Sequence, residues 1–294
     1  VLDMIGHGGM GSVFLAEQKE PVRRRVALKV IKLGMDTKAV LGRFEAERQA
    51  LAMMDHSHIA KVFEAGVTPM GKPYFAMEYV KGVPITRYCD DNKLSLEDRL
   101  ALFKQVCSGV QHAHTKGVIH RDLTPNNVLV TLQDGKPAAK IIDFGLARAT
   151  DHKLTEKTLF TEQGVILGTP EYMSPEQAGL NALDIDMRSD VYTLGVLLYE
   201  LLTGKLPFDG KELRAQGYDR MCRTIREAEP PRPSTNVTTH QGGTDGAAKL
   251  RRTDAGTLLK RLRGDLDWIV LKCLEKDRTR RYETVGHLAD DVER

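Results

Sequence analysis

The chain has 294 residues, 41% hydrophobic and 28% charged, with a net charge of +3. Those values describe an ordinary globular chain, arranged as one bilobal unit or as two small domains. They give no case for nucleic-acid binding, and no apolar run reaches membrane-spanning length, so no membrane contact is expected within this segment. Cys89, Cys107, Cys222 and Cys273 lack the close pairing of a zinc or redox site and read as free thiols in a reducing, cytoplasmic setting. The nine histidines form no His-Glu-x-x-His pattern. The chain starts at Val1 without a signal peptide and reads as an excised domain, with room for a membrane anchor outside it.

From Val1 to about Met77 the pattern is mainly strands plus one helix. Gly6, Gly8 and Gly11 form a Gly-x-Gly-x-x-Gly run. The Ser12-Val13-Phe14-Leu15-Ala16 that follows favours a strand, so the glycines belong to a hairpin rather than to a strand–helix unit. A backbone without side chains can lie close to phosphates. Val26-Ala27-Leu28-Lys29-Val30-Ile31 reads as a buried strand. Alternation puts Ala27, Lys29 and Ile31 on one face, where a lysine needs a partner unless it points to water. Leu41 to Asp55 reads as an amphipathic helix carrying Glu45 and Glu47.

Beyond Gly82 helices dominate. Ser95-Leu96-Glu97-Asp98 is a helix start of capping-box type, and Gly117 a stop. Val191 to Leu202 reads as a buried core helix. Pro230 to Gly256, rich in Pro and Gly and poor in apolar residues, reads as a mobile insert. Helical patterning returns at Leu266 to Leu274 and Val285 to Val292. Basic runs at Arg23–Arg25, Lys249–Arg252 and Lys260–Arg263 read as solvated faces, with an acidic-partner patch as the lesser alternative.

The chemistry concentrates in His120-Arg121-Asp122-Leu123-Thr124-Pro125-Asn126-Asn127, followed sixteen residues after Asn127 by Asp143-Phe144-Gly145. An aspartate, an asparagine five residues on and a second aspartate suit phosphoryl transfer. The first can orient a hydroxyl and accept its proton, while Asn127 and Asp143 can hold magnesium against ATP phosphates.

With the glycine loop, the strand lysine and Gly168-Thr169-Pro170-Glu171-Tyr172-Met173-Ser174-Pro175-Glu176, the chain resembles a eukaryotic-like (Hanks-type) Ser/Thr protein kinase domain, of bacterial type. The resemblance covers nearly the whole chain. It implies an α+β bilobal fold: an N-lobe over 1–77, mainly antiparallel sheet with one main helix; a hinge over 78–83; and a mainly helical C-lobe over 84–294, with the mobile insert near 230–256. It implies ATP with Mg2+ (Mn2+ as an alternative) as cofactors. ATP would be lined by Ile5, Gly6, Gly8, Gly11, Val13, Ala27, Lys29, Leu129, the gatekeeper Met77 and the hinge residues Glu78 and Val80. Lys29 would grip the phosphates and Glu47, chosen over Glu45 by its spacing to Leu51 and His56, would hold Lys29. Leu51, Val62, His120 and Phe144 match a stacked apolar spine. Asp190 would anchor the catalytic-loop backbone, and Glu176 would pair with Arg281. Thr169 resembles the threonine that hydrogen-bonds the catalytic aspartate, and Ser174 stands where alanine is usual.

The implied activity is ATP-dependent phosphorylation of protein Ser/Thr hydroxyls, with protein substrates as partners and kinase–kinase contact for autophosphorylation at Thr161 or Thr158. Tyrosine specificity is disfavoured, since that class shows Ala and Arg between the Asp and Asn of the loop. One departure matters. Thr124 stands where the family usually has a lysine, and this leaves a pseudokinase scaffold as the alternative; a small-molecule kinase is the third reading, opposed by the full activation segment.

Overall fold

The structure, a computed structural model, describes residues 1–8, 11–31, 53–144, 169–179, 185–238 and 243–294. Glu45, Glu47, Leu51, Thr155, Thr158 and Thr161 lie outside the described residues.

The N-terminal layer is one antiparallel sheet of five strands, β1 (Asp3–Gly8), β2 (Gly11–Gln18), β3 (Arg24–Ile31), β4 (Val62–Val67) and β5 (Pro73–Glu78), in the order β1-β2-β3-β5-β4. Valine, isoleucine and phenylalanine suit these pleated positions. Gly8 lies opposite Gly11 at the end of the first hairpin. A Cβ on Gly11 would sit 2.2 Å from the Val30 carbonyl oxygen, so only glycine lets β2 enter beside β3 here. In register, Lys29 lies between Val13 and Phe75, and Ala27 lies opposite Met77. The basic run at Arg23–Arg25 serves the sheet: Arg23 pairs with Glu17 at 2.8 Å and the Arg24 guanidinium lies 3.5 Å over the Phe63 ring.

Strand β5 ends at Glu78 and the next, β6 (Val83–Pro84), joins a second sheet with β7 (Val128–Gln133) and β8 (Lys136–Ile141). Helix α1 (Ile85–Asp91) and helix α2 (Leu96–Thr115) follow β6. Ser95 caps α2 by accepting from the Asp98 N–H at 3.2 Å. The Asp98 carboxylate takes the Ser95 hydroxyl at 2.8 Å.

The core of the second lobe is helix α3 (Met187–Thr203), in which Leu194, Leu197, Leu198, Tyr199 and Leu202 are fully buried. Each such leucine contributes roughly 1.5–3 kcal/mol by leaving water. Around α3 lie α4 (Gly210–Ala215), α5 (Tyr218–Glu227), α6 (Pro233–Thr238), α7 (Gly243–Leu250), α8 (Ala255–Arg261), α9 (Asp267–Cys273) and α10 (Val285–Glu293). A Cβ on Gly195 would meet the Cys273 Cβ at 2.4 Å, so glycine is what lets α9 lie directly on α3. All four cysteines are buried and unpaired.

Within the expected mobile insert, α6 and α7 occupy most of the described residues. Ser234 donates to the Asp267 carboxylate from its N–H at 2.9 Å and its hydroxyl at 2.6 Å. Arg251 is 1% exposed and donates to the carbonyls of Ala247 and Leu201 at 3.0 Å. Arg99, from α2, is equally buried and caps the same end of α3 through Leu201, while reaching Cys89, Leu94 and Leu250. Cations suit the carbonyl end of a helix. The stretch is anchored by polar groups, which an apolar count does not register. The other basic runs are also spoken for in part: Arg252 donates to the Asn92 carbonyl and Arg261 pairs with Glu97.

Arg281, whose side chain is 0% exposed, makes a two-pronged pair with Glu176 at 2.7 and 2.8 Å and also donates to the Arg188 and Glu275 carbonyls. Burial pushes the Glu176 carboxyl up, but the Arg281 hydrogen bonds and charge, with the Ser189 hydroxyl, take it below its ordinary value. Arg281→Met leaves a buried carboxylate unpaired and is expected to cost about 3–5 kcal/mol by urea unfolding. A depressed carboxylate contributes stability that is present above its unfolded pKa and lost as pH falls through the folded one. The gap between wild type and variant therefore narrows as pH is taken below 4.5, the carboxyl's ordinary value.

Candidate active site

Lys29 sits in the middle of β3 and is 6% exposed, so its ammonium needs a partner. It finds one in Asp143, with Nζ 2.8 Å from Oδ2. Asp143 follows directly from β8 and its neighbour Ile142, and has φ of 62°, a left-handed conformation that costs a non-glycine residue energy. The residues on either side hold it there. Phe144 meets the His120 ring edge-on at 4.6 Å, and His120 Nε2 bonds the Ile142 carbonyl at 3.0 Å.

The loop from His120 to Asn127 is built on Asp190. This carboxylate, in the first turn of α3, is 0% exposed. It accepts the backbone N–H groups of His120 and Arg121, both at 2.8 Å, and meets His114 Nε2 at 2.7 Å. Burial raises the Asp190 carboxyl, but the bond and charge of His114 and the contribution of His120 leave it below the ordinary range. Arg121 also has a left-handed φ, of 69°.

Asp122 then projects from this loop. Asn127 Nδ2 donates to its backbone carbonyl at 2.7 Å and to its Oδ2 at 3.0 Å. That leaves the Asn127 amide oxygen as the atom available to a cation. Asp122 is exposed as a residue, while protein atoms crowd its carboxyl. Its enclosure is the main cause of a raised carboxyl pKa; Asp143 adds to the rise, while His120, the Asn127 bond and Lys29 oppose it.

The structure thus brings Lys29, Asp122, Asn127 and Asp143 into one linked set. Of the residues expected at the adenine site, Gly6 lies opposite Val13 in the hairpin, Ala27 opposite Met77, and Leu129 opposite Pro84. Ile5 is 45% exposed on the edge strand. Val80 accepts from the Gly82 N–H at 3.0 Å.

The partner described for Lys29 is Asp143, Glu47 being outside the described residues. Thr169 makes no hydrogen bond to Asp122 among the described residues; its carbonyl instead accepts the Tyr172 N–H at 3.0 Å, closing a short turn over Pro170–Tyr172. Thr124 is 4% exposed, and its contact with Asp122 is backbone, N–H to carbonyl at 3.0 Å.

Sequence reasoning missed Lys140. It is 6% exposed on β8 and holds both carboxylate oxygens of Glu78, the last residue of β5, at 2.8 Å. The signal was a charge inside an apolar strand, the same signal that drew attention to Lys29.

The oxygen donors of Asn127 and Asp143 suit a hard divalent cation such as magnesium, which binds one or two carboxylates together with phosphates. The buried cation of Lys29 suits a polyphosphate. Among the described residues, no three or more of His, Cys, Asp and Glu form a metal-holding group by themselves.

A model of the protein kinase domain matches residues 1–291, so the chain belongs to the protein kinase family. Among curated relatives, serine/threonine-protein kinase Pkn1 of Myxococcus xanthus is 36% identical over 79% of this chain and 32% of its own length. Serine/threonine-protein kinase pkn2 of the same organism is 33% identical over 99% of the chain and 31% of its own. Serine/threonine-protein kinase PknB of Mycobacterium tuberculosis is 34% identical over 99% and 42% respectively. The chain thus spans about a third to two fifths of these relatives. No helix among the described residues is long and apolar enough to cross a membrane.

Proposed function

We propose that this chain transfers the γ-phosphate of ATP to Ser or Thr hydroxyls of protein substrates, in the cytoplasm where ATP is supplied. The observation that carries the reading is the joining of Lys29 to Asp143 at 2.8 Å beside Asn127 bonded to Asp122 at 3.0 Å. A phosphate-gripping cation, two oxygen donors for metal and a candidate base share one cleft. Lys29 would hold the α- and β-phosphates, and Glu47 would hold Lys29 in the catalytic arrangement. Asn127 and Asp143 would hold magnesium, which neutralises phosphate charge when bound. Asp122 would orient the acceptor hydroxyl and take its proton. Little covalent chemistry is asked of the protein, and alignment and charge complementarity carry the rate.

The alternative, a scaffold with weak activity, has one observation in its favour. Thr124 is neutral, and its hydroxyl makes no bond to the Asp122 carboxylate among the described residues. The intact set of Lys29, Asp122, Asn127 and Asp143 favours transfer.

Incubation with labelled ATP, magnesium and dephosphorylated casein tests the reading. Lys29→Met and Asp143→Asn are expected to remove most activity while the fold persists. Asp122→Asn is expected to lower turnover and spare ATP affinity. Full turnover by Lys29→Met at saturating ATP overturns the phosphate-lysine assignment.

Activation by autophosphorylation between copies of the chain belongs to the same reading. A phosphate at Thr161, or failing that Thr158, would add charge-assisted bonds near Arg121 and order the segment. Mass spectrometry after ATP incubation is expected to find it there; no phosphate anywhere over Thr155–Thr161 rejects this.

For Thr124→Lys, the restored charge on the γ-phosphate is a charged hydrogen bond of about 1.5–3 kcal/mol. Turnover at saturating ATP is expected to rise roughly 10- to 150-fold, with ATP affinity changing less. A variant that folds and binds ATP without a rise shows that the charge is supplied elsewhere or that chemistry does not limit the rate.

A further inference from the structure

Gln177 spans two segments that meet at the site. Its Nε2 donates to the Arg121 carbonyl at 2.7 Å, and its Oε1 accepts the Ser174 N–H at 3.0 Å. Its own N–H returns to the Ser174 hydroxyl at 3.4 Å. We propose that Gln177 is a positioning residue that fixes the peptide unit carrying Asp122 to the end of the segment 169–176, and so sets where the Asp122 carboxylate points. This rests on Asp122 acting as the base.

One peptide unit connects Gln177 to Asp122. Its oxygen is the Arg121 carbonyl, held by Gln177, and its nitrogen is the Asp122 N–H, which donates to His120 Nδ1 at 3.3 Å. Asp190 holds the unit before it, through the Arg121 N–H. Arg121 sits at φ 69°, so without restraint at both ends this plane has a downhill route to an ordinary conformation. Rotation of the plane swings the Asp122 side chain.

The far end of the bridge is firm. Ser174 is 0% exposed, and Glu176 is tied to Arg281 and to the Ser189 hydroxyl. Glutamine is suited to the task because it donates and accepts at once. A carboxylate accepts only, and a thioether does neither well. Order in the segment after Thr169 would therefore reach Asp122 through a single side chain.

Gln177→Glu keeps an acceptor for the Ser174 N–H and removes the donor to Arg121. Gln177→Met removes both. Each is compared with wild type and Asp122→Asn in the 294-residue chain, by casein phosphorylation, binding of a fluorescent ATP analogue and thermal unfolding. Both Gln177 variants are expected to lose tenfold or more in kcat, with KM for ATP and analogue affinity within twofold and Tm close to wild type. If both retain kcat within threefold while Asp122→Asn is inactive, the positioning role is overturned and the base assignment stands. If Asp122→Asn is also unimpaired, the base assignment fails and takes this proposal with it. If kcat, ATP affinity and Tm fall together in both variants, Gln177 is a stabilising residue only, and the proposal is again overturned.

Discussion

A buried carboxylate with three donors around it organises this domain. Removing Asp190 from water carries a penalty of several kcal/mol that only well-placed partners offset. Its partners are two successive backbone N–H groups of the catalytic loop and the His114 ring. Asp190 also stands in the first turn of α3, where the helix dipole favours negative charge. The most deeply buried helix of the chain is thus both the centre of the core and the mount for the loop. The strained conformation of Arg121 follows from that mount, and the exit of Asp122 toward Lys29 and Asp143 follows from Arg121.

The far end of α3 is treated in the opposite sense. Arg99 and Arg251 supply positive charge to the carbonyls around Leu201, and Gly204 closes the helix in the left-handed region. Burial and the neighbouring Arg99 bring Arg251 down to about 10. One helix therefore carries an anion at its start and two cations at its finish, each matched to the local dipole. Both ends reach segments distant in sequence: the catalytic loop at one and the α6–α7 region at the other. This explains why a stretch of such unpromising composition is integral to the lobe.

The bilobal α+β architecture was legible through the resemblance that the ordered motifs carry, while individual strands and helices within it followed from local apolar periodicity. Val26 to Ile31 identified a buried strand, and the charge within it identified Lys29. The spacing of Asp122, Asn127 and Asp143 was legible because turns fix short separations. Polar anchoring was not. Arg251 and Ser234 look like solvent residues in a Pro- and Gly-rich stretch, and only their partners across the fold show otherwise. Lys140 and Glu78 are 62 residues apart, and neither has a local reason to seek the other.

Thr124 separates two requirements that a lysine at that position would combine. The turn after Asp122 is closed by main-chain bonds, from the Thr124 N–H to the Asp122 carbonyl and from the Asn127 N–H to the Thr124 carbonyl, at 3.0 and 2.9 Å. Neither depends on the side chain. Asn127 then reaches Asp122 through its own amide. The geometry that joins Asp122 to Asn127 is therefore indifferent to what position 124 carries. The threonine itself is buried, at 4% exposure. On the proposed reaction, what the residue would change is the positive charge near the transferred phosphoryl group. Backbone arrangement and side-chain charge at this turn are supplied by different atoms, so position 124 would alter the proposed rate without altering the arrangement.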